Sequence, residues 1–203
     1  MDREKVRQVR AVPAEINVRD DDGAGYIEGY FAVFNSDYNI LPGKMSESIA
    51  PGAFSETISD DIRALVNHDA TLILGRTKTG TLQLKEDSHG LWGKIKINPD
   101  DYDAMNLYQR VKRGDVDGCS IGFVIISEET ERREDGSVHW TIKKVKLYEV
   151  SCCTFPAYED TNIAVRERDR DTFLARQAQV WREKMKARLN AHGTEITDAQ
   201  EET

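Results

Sequence analysis

The run Ser120-Ile121-Gly122-Phe123-Val124-Ile125-Ile126-Ser127 decides the fold, together with Glu134-Asp135-Gly136-Ser137 and the stretch Val138 to Thr154 that follows. The first run is apolar almost throughout and rich in β-branched residues, which reads as a buried strand. Asp135-Gly136 between two charged arms reads as a hairpin turn, because that dipeptide accepts the positive φ such turns need. Val138 to Thr154 then gives one long strand or two consecutive ones, and Pro156 stops the last.

Working outward, Tyr26 to Phe34 alternates and is aromatic-rich, and Ile62 to Asn67 is a short apolar run leading into His68. Both read as strands, as do Thr81 to Lys85 and Leu91 to Ile97, with Glu86 to Gly90 as the turn between the last two. Asn35 to Gly43 reads as a loop, and Ala53 to Ile58 as a short helix after Pro51-Gly52. Asp100 or Asp101 can cap a helix over Tyr102 to Arg113, with an apolar stripe at Ala104, Leu107, Tyr108 and Val111 and with Gly114 ending it. These elements predict an α+β fold: a mainly antiparallel β-barrel or sandwich with helices packed on it.

The chain has 203 residues, which suits one compact domain plus extensions. Three parts are expected: a polar N-terminal extension over 1–20, a domain over 21–165, and an amphipathic helical tail over 166–203 with a disordered end. Leu174, Ala178, Trp181, Met185 and Leu189 recur in the tail at helical spacing. The net charge is −8, which argues against a sequence-independent nucleic-acid binder. No apolar run approaches the roughly 18 residues of a membrane-spanning helix, and Met1 to Arg19 lacks the apolar core of a signal peptide. A cytoplasmic location is expected.

The three cysteines, Cys119, Cys152 and Cys153, are an odd number and predict no disulfides in a reducing compartment. Cys152 and Cys153 are neighbours on a strand, so they face opposite ways and do not form a zinc-binding pair with His68 and Cys119. No cofactor and no metal are expected.

Three motifs can carry chemistry. Ser120 lies in Asp117-Gly118-Cys119-Ser120-Ile121-Gly122, where glycines allow a substrate backbone to approach a hydroxyl. His68 ends an apolar strand, where a neutral imidazole can serve as general base. Glu149 sits in the otherwise apolar Leu147-Tyr148-Glu149-Val150 and needs a partner, because an unpaired buried charge is costly. It can orient the other nitrogen of His68. Each motif also fits an ordinary strand when taken alone. Cys119 would face away from His68 if Ser120 faces it. His89 and His139 remain alternatives for the third member, while Asp69 and Asp117 lie too close in sequence to be preferred, and His192 falls in the tail.

The landmarks occur in a fixed order: Gly29 to Phe34, Ile49-Ala50-Pro51-Gly52-Ala53-Phe54, Leu65 to Asp69, Leu74 to Thr77, Glu86 to Leu91, Arg113 to Phe123, Glu149-Val150-Ser151 and Phe155-Pro156-Ala157. As a set over roughly 26–165 they resemble the prohead serine proteases of tailed bacteriophages. The resemblance implies a fold similar to the herpesvirus assembly proteases, a β-barrel wrapped by helices. It implies His68, Ser120 and Glu149 as the catalytic residues in that chain order, and Arg166 as a further group near the oxyanion. It also implies a capsid protein or its scaffold segment as substrate, inside the assembling procapsid in the host cytoplasm, and cleavage of the protease itself. A homo-oligomer is left open. The rival expectation is an inert assembly or scaffolding protein with the same fold.

Overall fold

A computed structural model of the chain describes residues 7–13, 16–21, 24–41 and 43–154. The strands in chain order are β1 (Arg7–Pro13), β2 (Asn17–Asp21), β3 (Ala24–Val33), β4 (Tyr38–Leu41), β5 (Met45–Ile49), β6 (Arg63–Val66), β7 (Asp69–Arg76), β8 (Leu82–Glu86) and β9 (Gly90–Lys96). They are followed by the helix α1 (Tyr102–Arg113) and by β10 (Gly118–Arg132) and β11 (Val138–Cys153). The expected tail helix and Arg166 lie outside the described residues.

The strands form two sheets. A seven-stranded sheet runs β1-β10-β11-β5-β4, with β6 also on β11 and β7 on β6. A four-stranded antiparallel sheet runs β2-β3-β9-β8. Ile27, Phe31, Leu91 and Ile95 of the smaller sheet share one core with Cys119, Ile121, Phe123, Val145 and Val150 of the larger. The fold is α+β, as expected, but the barrel is not closed. Among the described residues β1, β4 and β7 end the larger sheet, and β2 and β8 end the smaller. The short strands that suggested closure pair instead within two separate sheets, and among the described residues α1 is the one α-helix of the expected wrapping.

The long hairpin β10–β11 organises the larger sheet. Its turn is the expected one: Gly136 has φ +83° and donates its N–H to Arg133 O at 3.0 Å. At 16 residues, β11 outruns any single neighbour on its free edge. Parallel β5 covers Val138 to Ile142 and parallel β6 covers Glu149 to Cys152. The gap between them is filled by the Pro51-Gly52-Ala53-Phe54 segment. Val145 N–H donates to Ala53 O at 3.1 Å, and Leu147 N–H donates to Thr57 Oγ1 at 3.0 Å. Buried main-chain donors must find acceptors, and this segment supplies them. It forms consecutive turns rather than the helix expected over Ala53 to Ile58. Gly52 enters it at φ +87°, and Glu86 Oε1 accepts the Gly52 N–H at 2.8 Å.

Helix α1 matches its expected span. Asp101 Oδ1 accepts the N–H groups of Asp103 and Ala104 at 3.0 and 3.1 Å, and Gly114 closes the helix at φ +85°. Its buried residues are the anticipated Ala104, Leu107, Tyr108 and Val111. Strands β1 and β2 fall within the stretch read as a polar extension. Arg10 of β1 donates from Nη2 to Glu47 Oε2 at 3.1 Å and from Nε to Glu47 Oε1, so a charge in the sequence becomes a tie between β1 and a fully buried acid on β5.

Candidate active site

In an antiparallel ladder directly opposed side chains share a face. Between β10 and β11 the register pairs Cys119 with Cys152, Ile121 with Val150 and Phe123 with Leu147. These residues are buried in the core. The alternate pairs Gly118–Cys153, Ser120–Ser151 and Gly122–Glu149 therefore lie on the opposite face.

Simple alternation from Leu147 would send Glu149 into the core. A register shift between Gly122 and Phe123 prevents this: Phe123 pairs with Leu147, the next residue Gly122 pairs with Glu149, and Tyr148 is the extra residue. Such a bulge reverses the phase of a strand and re-aims the side chains beyond it. Here it brings Glu149 to the face that carries Ser120. Gly122 makes room for it. A Cβ at position 122 would lie 2.1 Å from Glu149 Oε1 and 3.0 Å from Arg7 Nη2. The glycine two residues after Ser120 thus houses the carboxylate, a reason different from the substrate approach read from the motif.

His68 reaches this face from the two-residue turn Asn67-His68 between β6 and β7, where Val66 pairs with Asp69. Both turn residues have positive φ, +48° and +63°, a conformation that Asn and His tolerate better than most side chains. The turn is tied to β11 through the Asn67 N–H to Cys152 O at 3.0 Å and the His68 N–H to Ser151 Oγ at 3.2 Å. The ring of His68 places Nδ1 2.6 Å from Glu149 Oε1. Ser151 donates to Glu149 Oε2 at 2.7 Å, and Arg7 Nη2 donates to Oε1 at 3.3 Å.

The other ring nitrogen, Nε2, lies 3.8 Å from Cys153 Sγ. Ser120 is fully buried and donates its hydroxyl to Arg10 O at 2.9 Å. The structure thus gathers His68, Glu149 and Ser120 on one face, joins the first two directly, and turns the Ser120 hydroxyl toward β1. Cys153 was not singled out as part of this face. Burial, and then the Glu149 charge, push its thiol up to about 12. Cys119 lies on the core side, and burial holds its thiol well above the ordinary range.

The alternatives lie elsewhere. His89 packs edge-on against Tyr30 at 4.4 Å. His139 is held between Ser46 Oγ at 2.8 Å and Ser48 Oγ at 2.9 Å. Asp69 accepts the Thr71 N–H and hydroxyl at 2.8 and 2.6 Å, which holds its carboxyl below the usual range. Asp117 is exposed. Among the described residues no helix is long and apolar enough to cross a membrane, and no three His, Cys, Asp or Glu side chains are grouped to hold a metal.

Known proteins resemble this chain in sequence and fold. The prohead protease of Enterobacteria phage HK97 is 30% identical over 154 residues, which cover 74% of this chain and 64% of that protein. The chain therefore spans a little under two thirds of the length of this relative. The solved capsid assembly protease of bacteriophage T4 has a similar fold, with a TM-score of 0.50 at 12% identity, covering 74% of this chain and 98% of that one. The model of the caudovirus prohead serine protease family matches residues 13–176, a span that holds the His68 turn, the Ser120 strand and the bulged strand of Glu149. The chain belongs to that family.

Proposed function

We propose that this chain is a serine endopeptidase that cuts capsid or scaffold protein segments, and itself, inside the assembling phage procapsid. Ser120 is the nucleophile, His68 the general base and Glu149 the acid that orients it. The carrying observation is the 2.6 Å contact of His68 Nδ1 with Glu149 Oε1 on the face where Ser120 lies. That contact fixes the ring and leaves Nε2 to accept a proton.

The chemistry follows from these positions. The Ser120 hydroxyl leaves Arg10 O and turns toward Nε2. As Oγ bonds to the scissile carbonyl carbon, its proton passes to Nε2, and the carboxylate of Glu149 stabilises the imidazolium. Collapse of the tetrahedral intermediate breaks the C–N bond, and Nε2 gives its proton to the leaving amine. Water then attacks the acyl-enzyme by the same route and frees Ser120. Cys153 Sγ also lies 3.8 Å from Nε2 in the resting arrangement, but its high thiol pKa keeps it protonated, and the family is of serine type.

The test is co-expression of wild type or Ser120→Ala with the capsid protein, followed by mass spectrometry of both. Wild type should yield cut capsid protein and a trimmed protease, and Ser120→Ala neither; processing at the wild-type rate in the variant would sink the reading. The burial of Ser120 and its bond to Arg10 O favour one rival, an inert assembly protein. A fluorophosphonate separates the two, since only an enzyme takes the label at Ser120.

A further inference from the structure

The resting geometry contains a closed ring of contacts that the three proposed catalytic residues do not complete alone. Glu149 Oε1 meets the ring of His68, and Glu149 Oε2 accepts the Ser151 hydroxyl at 2.7 Å. Ser151 Oγ in turn accepts the main-chain N–H of His68 at 3.2 Å. The imidazole and the backbone of one residue are thus tied to one carboxylate, directly on one side and through Ser151 on the other.

We infer that Ser151 is a positioning residue, which locks the His68 turn and the Glu149 carboxylate into one unit. This rests on the reading of Ser120, His68 and Glu149 proposed above. Three features support it. The His68 turn holds two non-glycine residues at positive φ, a conformation that persists where the surroundings fix it. Ser151 is fully buried, so no water replaces its hydroxyl as donor to Oε2 or as acceptor for the His68 N–H. Ser151 is also directly opposite Ser120 on the paired strand, so the element that orients the base is in register with the nucleophile. Loss of its hydroxyl leaves one carboxylate oxygen without a donor and frees the turn to drift. A base displaced by a fraction of an ångström costs turnover more than substrate binding.

Ser151→Ala should lower kcat about tenfold with KM unchanged within about twofold, while Ser120 still takes a fluorophosphonate. A purely structural serine would lower the melting temperature and leave kcat of the folded enzyme intact. Ser151→Cys keeps the volume, replaces the hydroxyl by a poor donor, and should lose kcat in the same way. In the double variant Ser151→Ala/Glu149→Gln the loss should be no greater than in Glu149→Gln alone, because Ser151 acts through that carboxylate. Wild-type kcat in both single variants, or losses that multiply in the double variant, would overturn the proposal. The control is Ser120→Ala: if that variant cuts normally, the underlying reading fails instead.

Discussion

Two histidines of the larger sheet have similar company and opposite prospects. His68 and His139 each lie beside serines and a carboxylate, one at the base of the β10–β11 hairpin and the other near its turn. His139 has both ring nitrogens taken by serine hydroxyls, at 2.8 and 2.9 Å, and is 6% exposed. Its nearest acid, Asp37, lies 3.9 Å away and is bonded at 3.2 Å to Arg133. His68 gives one nitrogen to a buried carboxylate, among the described residues leaves the other beside a thiol, and keeps 24% of its side chain exposed. A histidine serves as base when one nitrogen is oriented and the other is free for a proton, and His139 is satisfied on both sides.

The largest effects should separate the two. His68→Ala should cut proteolysis by at least about a thousandfold, as loss of a triad member does. His139→Ala should leave kcat/KM within about threefold and act on stability instead. Equal losses in a capsid-protein cleavage assay would erase the distinction. Glu149→Gln comes next, with a fall of roughly a hundredfold to ten-thousandfold in kcat, since the amide no longer stabilises the imidazolium. Asp37→Asn, the matching change at the other histidine, should do nothing to kcat.

Gly122→Ala sharpens the same contrast through packing. Its Cβ would enter the space of Glu149 Oε1, so the carboxylate must move or the strand must give. Overpacking of this kind costs about 1–3 kcal/mol, and here the displaced group is the one that aims His68. Both the melting temperature and kcat should fall, and an unchanged kcat would show that Glu149 is not held as described.

The distribution of what could be read has a physical cause. Helix α1 was legible because its cap, stripe and C-terminal glycine are local. The cores of β10 and β11 were legible because they are apolar. Strands β1 and β7 were not. In β1 the charges of Arg7 and Arg10 hide the strand, and their partners Glu149 and Glu47 are far away in sequence. In β7 only Leu74 and Gly75 are buried, so no alternation shows. His68, Ser120 and Glu149 could be named from ordered landmarks, but the bulge at Tyr148 that places Glu149 on their face depends on pairing with another strand. So does the need for glycine at 122.

Cys153 gives a smaller test. Replacement by Ala should leave cleavage within about fivefold, whereas a cysteine nucleophile would lose several orders of magnitude. Its thiol is raised from 9.0 to about 12, so in the native protein at pH 8 it should resist iodoacetamide. The sign for stability follows. Below pH 9 the thiol is protonated in both states and the contribution is complete. Between pH 9 and 12 the unfolded chain releases the proton first, so stability should decline with rising pH. Cys153→Ala should flatten that decline, as read from melting temperatures across the window. The buried Cys152, also near 12, supplies a share that remains in the variant.

The smallest effect belongs to the quiet histidine. Ser48→Ala removes the partner of His139 Nε2 and leaves a buried ring nitrogen unpaired, which costs about 1–3 kcal/mol. Cleavage by the folded protein should not change, because β5 meets β11 at Val138 to Ile142, away from the Glu149 to Cys152 stretch. Ser151→Ala also removes one buried hydroxyl beside a histidine, but one that bonds the His68 main-chain N–H and the Glu149 carboxylate rather than a ring nitrogen, and it should reduce kcat. Measured side by side, the two variants compare the loss of one hydroxyl near each end of β11, Ser48 on the neighbouring β5 and Ser151 on β11 itself. If both lose only stability, the two histidines are equivalent structural groups. If only Ser151→Ala loses turnover, the orientation of His68 is what that hydroxyl supplies.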